Sequence, residues 1–272
     1  MGVFDSHPAF LKQWCIYDVE LEWVGKLMGG VPKDTKIIEG WLRSKAGISD
    51  TEELRQAMLR TAYEIGLEVT EDMTYEQLVE VTSKVASAKQ TQGFKIDKKS
   101  GQIYIESRQV KAMLRESTNI LFGGERWGVT KKGPKSYLAE RVFVFPNMLL
   151  LGKTEPDDVD LSIGHITGPQ GPRSTIGYTE YVVQPRIKLT VLVLNDSITD
   201  DQWAQLWGLA QHEGLGARRS AGHGVFQVMR WDRIGTPTAA QYQEIIDADR
   251  QMLRDLPLSN GRVAGRQTPA RT

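Results

Sequence analysis

The sharpest chemical signal in this chain is the run Gly214-Leu-Gly216-Ala-Arg218-Arg219-Ser-Ala-Gly222-His223-Gly224, four glycines in the order G-x-G-x5-G-x-G around two adjacent arginines. Glycines let a backbone approach a ligand closely, and guanidinium groups match phosphate oxygens, so the pattern predicts a site for a phosphate-bearing partner. A dinucleotide fingerprint is the first rival, but that motif follows a strand and opens a helix; here the expected helix precedes the glycines and a strand follows. The other alternative is a glycine turn that only connects helix to strand. His223 titrates near neutrality and could donate to a phosphate or act in acid–base ribonuclease chemistry, with a plain polar loop residue as the alternative. Asp34, on a loop after the first expected strand, could hold a metal or position a hydroxyl near a backbone, or be a solvated turn aspartate.

Other chemistries find no motif. The chain contains no G-x-x-x-x-G-K-[ST], no H-E-x-x-H and no G-x-S-x-G. Its four histidines, His7, His165, His212 and His223, are too scattered to define a metal site, and no cofactor is expected. The single cysteine, Cys15, excludes an internal disulfide and any multi-cysteine zinc or iron–sulfur site; it is expected in the core.

The 272 residues, 40% hydrophobic and 25% charged, describe an ordinary globular chain of one large or two small domains. No apolar stretch is long enough for a membrane span and no secretory signal opens the chain, so the expected compartment is the cytoplasm. With 34 basic and 34 acidic residues, the whole chain offers no general argument for polyanion binding. The charges are nevertheless segregated. Residues 1–83 carry 8 Lys+Arg against 15 Asp+Glu, residues 84–135 carry 12 against 4, residues 136–211 carry 5 against 9, and residues 212–272 carry 9 against 6. Two basic stretches separated by acidic ones can still form one positive groove; solvated surface is the bland alternative.

The elements that would position these groups follow from periodicity. Alternation over Cys15–Trp23 predicts a half-buried strand. An acidic block over about residues 33–88 reads as a helical insertion, with helices after Thr51 and after Thr74, where Gln77 completes a capping box. A hairpin with the basic tip Lys98-Lys99 follows, then a helix from Ser107 with Val110, Met113 and Leu114 inward and Arg108, Lys111 and Arg115 sharing its surface. Residues 123–136, including Lys131 and Lys132, read as a mobile basic loop. Arg141–Leu151 predicts a strand bulged or at an edge because of Pro146, and Gly152–Gly177 reads as a long loop. Strands over Tyr178–Val183 and Ile187–Leu194, a helix capped by Thr199 and closed by Gly214, the glycine loop, a strand over Val225–Trp231 and a helix over 238–256 complete the chain. The succession fits an α+β fold with a ferredoxin-like βαββαβ core enlarged by helical and loop insertions, residues 1–234, followed by a C-terminal helix and loose tail over 235–272.

The Gly214–Gly224 segment between helix and strand resembles the glycine-rich loop of the RAMP superfamily, the RNA-binding proteins of CRISPR effector complexes in antiviral defense. Ile105-Glu-Ser-Arg-Gln-Val-Lys-Ala-Met-Leu-Arg115 is similar to the backbone-subunit segment in which a strand end and a short turn lead into a helix with a terminal arginine. The chain departs from that pattern in its 33–88 insertion and in Glu106-Ser107-Arg108, where a proline-serine-serine turn is usual. The resemblance, over about residues 15–24 and 93–233, implies a modified RNA-recognition-motif core and subunits that assemble along single-stranded RNA, a guide RNA if CRISPR-linked; single-stranded DNA stays open. It implies nucleic-acid contacts from Gly214, Gly216, Arg218, Arg219, Gly222 and Gly224, with Lys111 and Arg115 from the helix and Lys131-Lys132 as a thumb-like element; His223 inside the loop and Arg108 on the helix surface join the candidate contacts by their positions. An endoribonuclease using Asp34 or His223, and a structural assembly protein without nucleic acid, are the alternatives.

Overall fold

The computed structural model describes residues 5–33, 51–65, 67–85, 90–122, 141–168, 171–195 and 198–254. Alternating side chains make Trp14–Trp23 (β1) a two-faced strand: Cys15, Tyr17, Val19, Leu21 and Trp23 are buried in the main core, while Asp18, Glu20 and Glu22 face the other way. β1 is central to a four-stranded antiparallel sheet. Arg186–Leu194 (β11) pairs along one edge, with Tyr17 opposite Val191, and Phe226–Gly235 (β12) along the other, with Val19 opposite Trp231. Val142–Phe145 (β7) pairs with β11, giving the order β12-β1-β11-β7.

Two helices cover the core face of this sheet. Ser107–Leu121 (α4) contributes Val110, Met113 and Leu114, and Asp200–Glu213 (α5) contributes Trp203, Leu206, Trp207 and Ala210. Ring contacts knit the layer to the sheet, with Tyr17 stacked on Trp231 at 4.5 Å and Trp203 tilted against Trp231 at 4.8 Å. The other face of the sheet is divided. At one end Phe10, from Pro8–Leu11 (α1), Tyr242, from Ala239–Arg254 (α6), and Phe143 gather around Trp14 or one another. Buried Asp249 of α6 accepts two hydrogen bonds of 2.7 Å from the Asn147 backbone and side chain. At the other end Arg186 pairs with Glu20 and Glu22, and Arg230 with Asp18 and Asp232, forming a charged ladder. Among the described residues no aromatic side chain is fully exposed, so this face is no stacking platform.

Two smaller sheets lie beside the first. Lys26–Met28 (β2), Gly171–Val183 (β10), Gln90–Gly93 (β4) and Val31–Pro32 (β3) form one, with Asp158–Gly168 (β9) on the far side of β10. Lys95–Ile96 (β5), Ile103–Glu106 (β6) and Met148–Leu150 (β8) form the other. The Pro146 break thus sends one apolar run into two sheets, at an edge of each. The long loop expected over Gly152–Gly177 is instead largely the β9–β10 hairpin, paired from Asp158 opposite Tyr181 to Gly168 opposite Gly171. In the sequence Val159, Leu161 and Ile163 keep the two-residue period of a strand, which the glycines and prolines near the tip obscure. The fold is therefore mixed α+β with several antiparallel sheets. No described helix is long and apolar enough to cross a membrane.

Within the 33–88 block the described residues form two helices, Thr51–Glu64 (α2) and Tyr75–Val85 (α3), around a small core of Leu54, Met58, Leu59, Ile65 and Leu78. Thr74 and Gln77 exchange backbone–side-chain hydrogen bonds as a capping box requires. Arg55 ties the pair together by binding Glu52 and the carbonyls of Glu71 and Met73. The hydrogen bond from Arg55, and then that from Gln56, hold the Glu52 carboxyl at a pKa of about 2, below its usual 4.5. A depressed carboxylate stabilises the fold above its unfolded pKa, and that contribution fades as pH falls from about 4.5 towards 2. Amide exchange in α2 and α3, corrected for intrinsic rates, should therefore lose protection across that window in the native chain and change less in Glu52→Gln; identical profiles would show that the interaction contributes nothing.

Candidate nucleic-acid interface

α5 starts at the Thr199–Gln202 capping box and ends at Gly214, whose N–H still donates to Ala210. From there the chain is stitched main chain to main chain. Leu215 N–H donates to the Gly224 carbonyl, Ala217 N–H to that of Met28, and Gly224 N–H to that of Lys26, all at 2.9–3.0 Å. The glycines make this seam possible. A β-carbon on Gly224 (φ +82) would stand 2.2 Å from the Leu215 carbonyl oxygen, and one on Gly216 (φ +102) 2.8 Å from the Met28 oxygen. Gly214, Gly216 and Gly224 thus have a packing reason of their own, while Gly222 faces open space.

Beside the seam opens a cleft of about 680 Å³. The glycine loop supplies Gly214 to Ala217 and Arg219, α4 supplies Arg108, Gln109, Ala112, Met113 and Glu116, and α2 supplies Thr61 and Glu64. Met28 to Pro32, Gln92 to Lys95 and Tyr104 to Glu106 complete the lining. Each of its cations is held by a carboxylate: Arg219 by Glu116 at 2.7 Å, Arg108 by Glu106 at 2.6 Å, and Lys95 by Glu64 at 2.5 Å and Glu106 at 3.3 Å. Burial, reinforced by Glu64 and Glu106, pushes the Tyr104 hydroxyl well above its ordinary pKa, so it stays a proton donor.

The structure brings some of the expected site residues together and separates others. Arg219 and Arg108 meet at the cleft, and Arg115 stands exposed two turns along α4 with no ion pair among the described residues. Arg218, in a left-handed conformation, parts from its neighbour and reaches Asp160 of the β9–β10 hairpin at 3.5 Å. Lys111 does not share the surface of Arg108 and Arg115: its ammonium lies 4.7 Å from the Phe143 ring centre, and burial lowers its pKa. His223 is half-buried and outside the cleft lining. Asp34, Lys131 and Lys132 lie outside the described residues. Lys98, the expected basic hairpin tip, docks the insertion by donating to the Leu67 carbonyl at 2.7 Å and lying over Tyr63 at 3.7 Å.

Sequence reasoning missed Gln109, Glu116, Lys95 and Glu64. Helical spacing could have found Glu116, because Arg108, Ala112 and Glu116 recur at four-residue intervals along one face. Nothing local announces Lys95 and Glu64, which meet through tertiary structure.

Neither a protein-family profile nor a curated protein matches the chain. Among solved structures it is similar to a chain in the cryo-EM structure of the Type III-B Cmr-beta bound to cognate target RNA, with 16% sequence identity and a TM-score of 0.43. The match covers 86% of this chain and 66% of that one, so it spans less than two thirds of its neighbour.

Alanine at two glycines distinguishes the seam from a free loop. Gly222→Ala meets only the left-handed backbone cost, about 1–2 kcal/mol. Gly224→Ala adds a main-chain collision and should lower the thermal midpoint further or leave the protein insoluble. Equal midpoints for the two variants would remove the packing argument.

Proposed function

We propose that this chain is a single-stranded nucleic-acid-binding protein of the RAMP type, with RNA as its foremost ligand, that assembles along the strand as a backbone subunit. Its core, residues 1–234, is read as ferredoxin-like: α4 lies between β1 and β7 in the chain, α5 between β11 and β12, and the sheet order β12-β1-β11-β7 is that of a βαββαβ unit. The β9–β10 hairpin is a thumb-like element on this reading, alongside the Lys131-Lys132 loop.

The observation that carries the proposal is the convergence of Arg219 and Arg108, from two distant stretches of sequence, at one cleft beside the glycine loop. Arg115 extends that line of cations along α4. Phosphate oxygens would replace the carboxylates now on the two cleft arginines, an exchange of one charge-assisted hydrogen bond for another. Glu116 and Glu106 therefore oppose binding, while Arg218, engaged with Asp160, takes less part.

Binding of labelled single-stranded RNA across a salt series tests this. Arg108→Ala and Arg219→Ala should each weaken binding and reduce the log–log salt slope by about one. Arg218→Ala should change the slope less, and Glu116→Gln should tighten binding severalfold. Unaltered affinity in the Arg108→Ala/Arg219→Ala double variant, with its circular dichroism intact, would sink the site. Electrophoresis of the bound RNA, with and without magnesium, separates a binder from an endoribonuclease.

A further inference from the structure

We propose that Asn147 and Asp249 are positioning residues for Arg108, so that docking of α6 on the outer face of the large sheet and occupation of the cleft by nucleic acid favour one another. The inference rests on the strand-binding reading above for its ligand. It begins at the start of α4, one residue before Arg108. The N-cap residue, Glu106, makes no side-chain cap hydrogen bond; its carboxylate is engaged instead with Lys95 and Arg108. Asn147, in the link between β7 and β8, supplies the missing acceptor from another part of the chain. Its carbonyl accepts from the Ser107 N–H at 2.9 Å, and its Oδ1 accepts from the Ser107 hydroxyl at 3.3 Å.

Asn147 is in turn held by α6. Its N–H and its Nδ2 each donate to one oxygen of the Asp249 carboxylate, both at 2.7 Å. The polar groups of Asn147 are thereby committed, the donors to α6 and the acceptors to α4. Neither Asn147 nor Asp249 lines the cleft, so their route to a ligand there runs through α4. The contacts are continuous from Asp249 to Asn147 to Ser107, whose neighbour Arg108 stands in the first turn of the helix.

The hold on α6 is local. Among its described side chains only Asp249 is buried, while Tyr242, Ile245 and Ile246 are half-buried. Thr238 and Gln241 exchange hydrogen bonds as a capping box, so the first turn is closed from within the helix. In place, the buried carboxylate accepts two charge-assisted bonds; released, it regains water. With α6 lifted, the Asn147 donors also pass to water and its side chain is free to turn, so the cap on Ser107 loses the contact that orients it. An element held this way belongs to the low-stability end of a fold. A ligand that fixes the start of α4 then favours the docked helix by the same factor as the docked helix favours the ligand.

Labelled single-stranded RNA and amide exchange, both on the full chain at one salt concentration, test the link. Saturating RNA should slow exchange of the Tyr242–Asp249 amides about threefold. Asp249→Ala should weaken RNA binding about threefold, and in that background the further loss from Arg108→Ala should shrink by about the same factor. The loss from Arg219→Ala, on the glycine loop, should stay as in the native chain; a defect spread through the fold would change both arginine contributions alike. Without RNA, Asp249→Ala should speed exchange at Ser107 and Lys111 and leave Thr118–Leu121 unchanged. Asp249→Asn, which keeps one acceptor oxygen, should fall between. If Asp249→Ala is insoluble, Asp249→Asn and the effect of RNA on native α6 decide the matter. Equal Arg108 losses in the two backgrounds with α6 exchange indifferent to RNA, or unchanged exchange at Ser107 and Lys111, overturn the link and leave the strand reading standing. No RNA binding by the native chain, with Ser107 and Lys111 deprotected in Asp249→Ala, supports the link and overturns the strand reading. No RNA binding and no deprotection overturn both.

Discussion

The site depends on a close approach of main chain to main chain between the Gly214–Gly224 loop and β2. Backbones can come this near only where no β-carbon intervenes, and the hydrogen bonds to the Lys26 and Met28 carbonyls then fix the loop in position. The consequence reaches beyond the loop. α5 and β12, which flank it, belong to the large sheet and its helical layer, whereas β2 pairs with β10 in the second sheet. A second close approach, where a β-carbon on Gly29 would stand 2.4 Å from the Gly93 carbonyl carbon, joins β2's end to β4. Backbone contacts thus bound the cleft along two stretches, and the side chains that give it chemical character come from α4, α2, β5, β6 and Arg219 of the loop itself.

Charge in this cleft is arranged locally. Lys95, Arg108 and Arg219 are each held by a carboxylate within 2.7 Å, which orients the cations and leaves little unbalanced field for an incoming strand. Long-range steering by a chain of zero net charge is correspondingly weak at physiological ionic strength, where charges are screened over about 8 Å. An anion reaching the cleft gains by substitution. A phosphate in place of the carboxylate keeps each guanidinium paired, so the net gain is smaller than the strength of the new contact.

Local signals carried much of the secondary structure. The alternation in β1, the capping boxes at Thr74 and Thr199 and the breaker at Pro146 all act over a few residues and are legible as such. The β9–β10 hairpin was masked by its own turn residues, although Val159, Leu161 and Ile163 held the period of a strand. Arg218 and Arg219 looked like one unit because adjacency in sequence says nothing about the left-handed backbone of Arg218, which turns the two side chains apart. Lys111 fitted the exposed face of a helical wheel, yet the edge strand β7 places an aromatic ring where the wheel shows solvent. The unpartnered amide oxygen of Gln109 arises only once α4 is packed, so no sequence pattern could reveal it.

The segregated charge of the sequence has a partly internal explanation. Residues 1–83 are acidic and residues 84–135 basic, which by itself suggests a polyanion partner for the second stretch. In the fold the two stretches partly satisfy one another: Lys95 of the basic stretch binds Glu64 of the acidic one, and Lys98 caps the carbonyl of Leu67 while lying over Tyr63. The insertion is therefore attached to the hairpin by the cations that seemed available for nucleic acid. Because α2 also lines the cleft through Thr61 and Glu64, that attachment shapes the site as well as consuming part of its positive charge. The Lys95 pair is largely shielded from water, so salt should disturb it less than it disturbs the exposed arginines. A loss of binding at high ionic strength would then report on Arg108, Arg115 and Arg219 rather than on detachment of the wall.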